Sequence, residues 1–220
     1  MSKASRAAPT VQIEAHSLSK RYLREWIFRD LTHTFQPGSA TAILGPNGSG
    51  KSTLLNTLSG QLLPSQGMLT YSWQGKPVAV DDVPRLLAYC APYLEVVEEL
   101  TLTELLHFHT RFKPLRPGLT PQKLIELMYL ENSRHKLVRD FSSGMKQRLK
   151  LALALYADAP LLLLDEPTTN LDRAGVAWYL EHAHATIAER TVLVSSNVPE
   201  EYEFCPNHLN VTDFGARAAR

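Results

Sequence analysis

Gly45-Pro46-Asn47-Gly48-Ser49-Gly50-Lys51-Ser52-Thr53 is the stretch that decides the fold. It fills every fixed position of the Gly-x4-Gly-Lys-Ser/Thr pattern of a phosphate-binding loop. Glycine at 45, 48 and 50 permits backbone dihedrals that a β-carbon forbids, so successive amide N–H groups can close around the oxygens of a di- or triphosphate. Lys51 adds a mobile positive charge. Ser52 offers a hydroxyl to a Mg²⁺ ion riding on those phosphates, and a helix beginning near Lys51 aims its positive dipole end at the same anion.

The neighbours supply the strand–loop–helix context the motif requires. Ser39 to Leu44 is an apolar run of strand length, and Ser52 to Leu63 carries Leu54, Leu55, Leu58 and Leu62 at helical spacing. A chain of 220 residues is most economically one domain with a substantial core. Lys and Arg number 23 against 22 Asp and Glu, so no overall basic field recommends nucleic acid as a partner. Cys90 and Cys205 lack metal-ligand spacing and read as buried thiols of a reducing compartment. Residues 1–10 contain no apolar core and read as a fraying tail, and no apolar run reaches the length that crosses a bilayer.

Further along, Val11 to His16 alternates as a half-exposed strand, Tyr22 falls in a polar turn, and Phe28 to Phe35 reads as a second strand. Tyr22 is either an adenine-stacking aromatic or an ordinary surface tyrosine. Gly67 to Trp73 and Leu86 to Cys90 are candidate strands. Thr101 to Phe112 reads as a helix capped by Thr101 or Thr103, with Leu102, Leu105, Leu106 and Phe108 on one side. His107 and His109 are two apart, point to different faces and make a poor metal pair. Pro121 to Leu130 starts a second helix. Ser142 or Ser143 can cap a third, from about Gly144 to Ala157, with a polar first half and an apolar second half.

Leu161 to Leu164 is a continuous apolar run ending in Asp165-Glu166-Pro167, as expected of a central parallel strand with polar groups at its carboxyl end. Asp165 can hold Mg²⁺ and Glu166 can polarise an attacking water. Thr168 to Asp172 leads into a helix through Leu180 and Ile187, and Thr191 to Val194 is a last central strand before Ser195-Ser196-Asn197.

Three blocks, Gly45 to Thr53, Phe141 to Arg148 and Leu161 to Asp172, stand in the order found in ATP-binding cassette (ABC) proteins, and the chain resembles their nucleotide-binding domain from about Val11 to Val211. The resemblance implies an α/β fold: a P-loop NTPase core with a mainly parallel sheet, an antiparallel β subdomain and an inserted α-helical subdomain at about 93–140, all within a single domain at 11–220. It implies ATP and Mg²⁺ as ligands, Tyr22 against adenine, and Ser52 with Asp165 on the metal. Lys51, Glu166 and Asn197 become the catalytic group. Gly45, Pro46, Asn47, Gly48, Ser49, Gly50, Lys51, Ser52 and Thr53 bind the phosphates, and Ser142 and Gly144 cover them from a second subunit. A homodimer or heterodimer of such domains and a separate transmembrane permease are the implied partners, at the inner, cytoplasmic face of the cell membrane.

Four positions depart from the family pattern. In Phe141-Ser142-Ser143-Gly144-Met145, Phe, Ser and Met replace the usual Leu, first Gly and Gln. Pro92 stands where a glutamine usually follows the fourth strand, and Asn197 stands at the usual histidine. An asparagine retains an N–H donor without a positive charge, so slow hydrolysis is expected. Glu95, Glu98 and Glu99 are near enough in sequence to replace the glutamine. The apolar cluster of Tyr93, Leu94, Val96 and Val97 is the expected partner contact, within Pro92 to Leu102. The variant signature favours export. The competing readings are a soluble ABC ATPase of cofactor assembly or nucleic-acid processing, and a slow-hydrolysing regulatory module.

Overall fold

Leu161–Asp165 (β7) is buried along its whole length and divides the interior in two. Side chains alternate across a strand, so Leu162 and Leu164 pack into one core and Leu161 and Leu163 into the other. Val192 and Val194 against Leu193 repeat that division on the neighbouring strand. This is why the run reads as continuously apolar rather than alternating.

The computed structural model describes residues 10–188 and 190–215. The expected tail at 1–10 therefore lies, except for Thr10, outside the described residues. The elements in order are β1 (Val11–Tyr22), β2 (Glu25–Phe35), β3 (Ala40–Leu44), α1 (Lys51–Leu58), β4 (Gln66–Trp73), β5 (Lys76–Val78), α2 (Val83–Leu86) and β6 (Leu87–Cys90). There follow α3 (Leu102–His109), α4 (Pro121–Leu127), α5 (Ser143–Leu155), β7, α6 (Arg173–Thr186), β8 (Thr191–Ser195) and β9 (Asn207–Asn210). One sheet is parallel, in the order β6-β7-β8-β3-β9. The other is antiparallel, in the order β2-β1-β4-β5. The first core packs α5, α6 and the helices α3 and α4 against one face of the parallel sheet. The second joins its other face, through α1, to the antiparallel sheet.

The segment containing α3 and α4 is tied at its base. Thr101 bridges Leu137, Leu102 N–H donates to the Lys136 carbonyl at 3.2 Å, and Val138 and Arg139 N–H donate to the carbonyls of Leu100 and Glu98 at 3.0 Å each. Thr101, not Thr103, caps α3: its hydroxyl accepts from the Glu104 N–H, and the Glu104 carboxylate accepts from the Thr101 N–H at 2.9 Å. From the core side, Trp178 Nε1 donates to the Leu127 carbonyl at 2.7 Å.

Several sequence expectations shift. β1 continues past His16 to Tyr22, because an irregularity with Ser17 at φ 47° interrupts the alternation, which resumes at Leu18. Tyr22 thus ends a strand rather than occupying a turn. α1 stops at Leu58, since Gly60 at φ 78° turns the chain out of the helix, and Leu63 is exposed. Phe108 leaves the apolar face of α3 and lies exposed, edge-on to Phe112 with ring centroids 5.2 Å apart. Its place, three after Leu105, belonged to that face only if α3 packed on both flanks. Both cysteines are buried free thiols, held at a pKa of about 12 by burial.

Candidate functional site

β3, β8 and β7 are adjacent and parallel, and all three run out at the same edge of the sheet. In such sheets the crevice outside the strand carboxyl ends receives ligands. Each strand delivers one block there: Gly45 after β3, Asp165 and Glu166 at the end of β7, Ser196 and Asn197 after β8.

The loop from Gly45 to Gly50 is shaped by two close approaches. A β-carbon at Gly50, where φ is 98°, would lie 2.3 Å from Ile27 Cγ2 on β2, and one at Gly45 would lie 2.5 Å from Ser49 Oγ. Only glycine allows the backbone this near its neighbours. The Ser49 N–H turns back to the Pro46 carbonyl at 3.1 Å. α1 then starts at Lys51 with no side-chain cap and no acidic residue in its first turn, which leaves its first amides and dipole end to an anion. Lys51 is buried, and its ammonium donates to the carbonyls of Gly45 at 2.8 Å and Pro46 at 3.2 Å. Ser52 and Thr53 occupy the first turn behind it.

Asp165 is 1% exposed, and neither carboxylate oxygen has a hydrogen-bond partner among the described residues. A buried carboxylate without donors is expensive unless a cation shares the site. Its hard oxygens, with the Ser52 hydroxyl, are the donor set that suits Mg²⁺, so the residues fit that ion. Glu166, one step on, has left-handed backbone at φ 43°, held by its N–H to the Ser195 carbonyl at 2.8 Å. Glu166, Asn47, Thr168, Ser196, Asn197 and Glu201 line a cleft of about 240 Å³. Across it the Asn197 side-chain amide donates to the Asn47 side-chain oxygen.

Tyr22 is exposed at the end of the β1–β2 hairpin, with the Lys20 ammonium 5.2 Å from its ring centroid. Ile27 of the same hairpin touches the phosphate loop at Gly50, which puts the hairpin on that loop's flank. Ser142 and Gly144 do not line the cleft. Ser142 caps α5 by accepting from the Met145 N–H at 3.2 Å, and a β-carbon on Gly144 would lie 3.3 Å from the Asn170 carbonyl oxygen.

Pro92 follows β6, and its carbonyl accepts from Lys150 at 3.2 Å. Of the nearby glutamates, Glu98 is engaged by Lys146 at 2.5 Å, and Glu95 lines a separate groove. The polar groups beside Pro92 are instead hydroxyls. The Tyr89 and Tyr93 hydroxyls meet at 2.5 Å, and both lie within hydrogen-bond reach of Asn56 Oδ1, at 3.3 and 3.1 Å; with one proton each, one phenol donates to the other and the second donates to Asn56. Asn56 is one turn after Ser52 on α1. Burial first, then the Tyr93 hydrogen bond, holds the Tyr89 phenol far above its usual range, and the Asp165 charge adds to this. Neither this cluster nor Glu201 was read from the sequence; the i, i+4 relation of Ser52 and Asn56 is the signal that places Asn56 on the cleft side of α1. The separate groove, about 270 Å³, is lined by Tyr89, Leu94, Val96, Val97, Phe108 and Lys150, among others.

Comparison with known proteins extends the geometry. The family profile described as ABC transporter matches residues 28–169. The Nod factor export ATP-binding protein I of Rhizobium meliloti (strain 1021) is 34% identical over 219 residues, covering 97% of this chain and 65% of that protein. The chain thus spans a little under two thirds of that relative's length. The cytochrome c biogenesis ATP-binding export protein CcmA of Xylella fastidiosa (strain 9a5c) is 35% identical over 164 residues, 74% of this chain and 73% of that protein. A solved ATP-binding subunit of an ABC transporter superposes with a TM-score of 0.74 at 28% identity, covering 90% of this chain and 85% of that one. The phosphate loop follows β3 and the Asp165–Glu166 pair ends β7 of the same parallel sheet, and the profile spans both; the chain belongs to the ABC transporter family and has the ABC ATPase fold.

Proposed function

We propose that this protein is the ATP-binding and ATP-hydrolysing subunit of an ABC transporter that drives export through a separate membrane subunit. The observation that carries the reading is the convergence of Lys51, Glu166, Asn197 and Asp165, the last without a partner among the described residues, at the carboxyl edge of three adjacent parallel strands.

In this reading the free amides at the start of α1 receive the β- and γ-phosphates, and Lys51 exchanges its bonds to Gly45 and Pro46 for phosphate oxygens. Tyr22 takes the adenine face. Ser52 and Asp165 would hold Mg²⁺, which when bound neutralises charge on the phosphates. Glu166 accepts a proton from the attacking water, and Asn197 donates its amide to the γ-phosphate. Ser142 and Gly144 of a second subunit complete the site, so ATP closes a dimer that hydrolysis reopens. The neutral amide at 197 supports slow turnover.

No helix among the described residues is long and apolar enough to cross a membrane. The groove beside α3, with exposed Val97 and Phe108 at its rim, suits an apolar helix end of the membrane subunit, which would hold this protein at the inner membrane face. The two relatives that carry export in their names support that direction.

The test is twofold. The purified protein should hydrolyse Mg–ATP, and it should co-sediment with membranes only when a multi-span partner is co-expressed. Nucleotide binding without turnover, even with that partner, would make it a regulatory module instead.

A further inference from the structure

We propose that Glu201 is a positioning residue that locks the loop carrying Glu166 to the segment following Asn197; this rests on the hydrolytic reading above. Glu201 lies in the short turn Pro199–Tyr202 after β8 and is 3% exposed. One carboxylate oxygen accepts the Thr168 N–H at 2.8 Å and also the Thr168 hydroxyl, while the other is buried without a partner among the described residues. Its residue lines the same cleft as Glu166 and Asn197.

A carboxylate is an expensive way to hold one loop, because its charge must leave water. Charge-assisted bonds to two donors on one residue make it a strong clamp. The clamp has a fixed base: buried Tyr179 donates its hydroxyl to the Glu201 carbonyl at 2.7 Å. It also has a strained load. Glu166 sits at φ 43°, and Thr169 N–H returns to its carbonyl at 3.1 Å, so fixing Thr168 fixes the turn that aims the Glu166 side chain. From the other side Gln147 Nε2 donates a neutral bond to the Pro167 carbonyl at 2.7 Å. Because Glu201 is four residues past Asn197, displacement of Asn197 by a phosphate is passed to the turn at Glu166.

The experiment compares the parent with Glu201→Ala, Glu201→Gln, Thr168→Val and Tyr179→Phe, by steady-state Mg–ATP hydrolysis, thermal melting and amide hydrogen exchange over residues 166–171. Glu201→Ala should lower kcat by about tenfold or more and leave KM within about twofold, the pattern of a lost bond to a charged group that acts after binding. It should also speed exchange at Thr168 and Thr169. Glu201→Gln, which retains an acceptor, should recover most of kcat, and Thr168→Val should give a smaller fall. Tyr179→Phe, which loosens the base of the clamp but leaves both Thr168 bonds in place, should lower the melting temperature and lower kcat by less than Glu201→Ala does. The proposal is overturned if Glu201→Ala keeps kcat within about twofold of the parent, or if Tyr179→Phe loses as much kcat, which marks a merely structural role. If the parent does not turn over, the hydrolytic reading fails while exchange still decides the clamp: faster exchange in Glu201→Ala supports it, and unchanged protection overturns it.

Discussion

The side-chain amide of Asn197 donates to the side-chain oxygen of Asn47, joining the end of β8 to the phosphate loop across 150 positions of sequence. Asn197 thus rests on the loop whose ligand it would sense. Removing that donor, in Asn197→Ala, is expected to slow phosphate release on the order of 10²-fold, as for one lost hydrogen bond to a developing phosphate charge. Asn197→His should be faster than the parent, because imidazole adds a charge or a transferable proton. Phosphate-release assays at saturating Mg–ATP check both, and a parent no slower than Asn197→His would count against the role given to the amide.

Glu166→Gln is expected to lose about 10³-fold in turnover while binding Mg–ATP as tightly as the parent, since the amide keeps the shape of the side chain but cannot take a proton. Single-turnover phosphate release and a fluorescent-nucleotide titration separate the two quantities.

Gly50→Ala should abolish nucleotide binding. Its new methyl group meets Ile27 Cγ2 and its backbone is at φ 98°. Ile27→Ala in the same protein relieves only the collision, so recovery should be partial. A titration showing full recovery would mean that the dihedral is unimportant.

Stability should fall as pH drops below neutral. Burial lowers the pKa of His182, His109 and His33 below 6.5, and Lys113 adds to the effect at His109. The unfolded chain then binds protons that the folded one refuses, so their contribution is whole above about pH 6.5 and is lost as pH falls through the lowered values. His182 is the sharpest case, packed against the Tyr156 hydroxyl and the Trp178 ring, whose centroid is 4.6 Å from its own. His182→Gln should flatten the decline in melting temperature between pH 7.5 and 5.5 relative to the parent.

The parallel core was legible because its signals are local. A glycine run, an apolar strand and a helix stand side by side at 39–63, and Leu161–Glu166 carries its polar groups where a central strand must end. What escaped reading was carried by contacts between distant segments. Tyr89 and Tyr93 matter through Asn56, and Glu201 through Thr168, and no spacing rule links those pairs. Phe108 misled because a helical wheel assigns faces without knowing how wide the packed stripe is. Ser17 misled because one left-handed residue shifts a period-two pattern without ending the strand.

The stem beneath α3 and α4 gives the inserted helices a mechanical character. Two chain segments, 98–101 and 137–139, are hydrogen-bonded to each other, while Lys150 on α5 grips the carbonyl of Pro92 just ahead of them. A single strand would stretch under load; a doubled one behaves as a torsion bar. The inserted helices are thereby joined to the edge of the parallel sheet by a paired stem rather than by one length of chain.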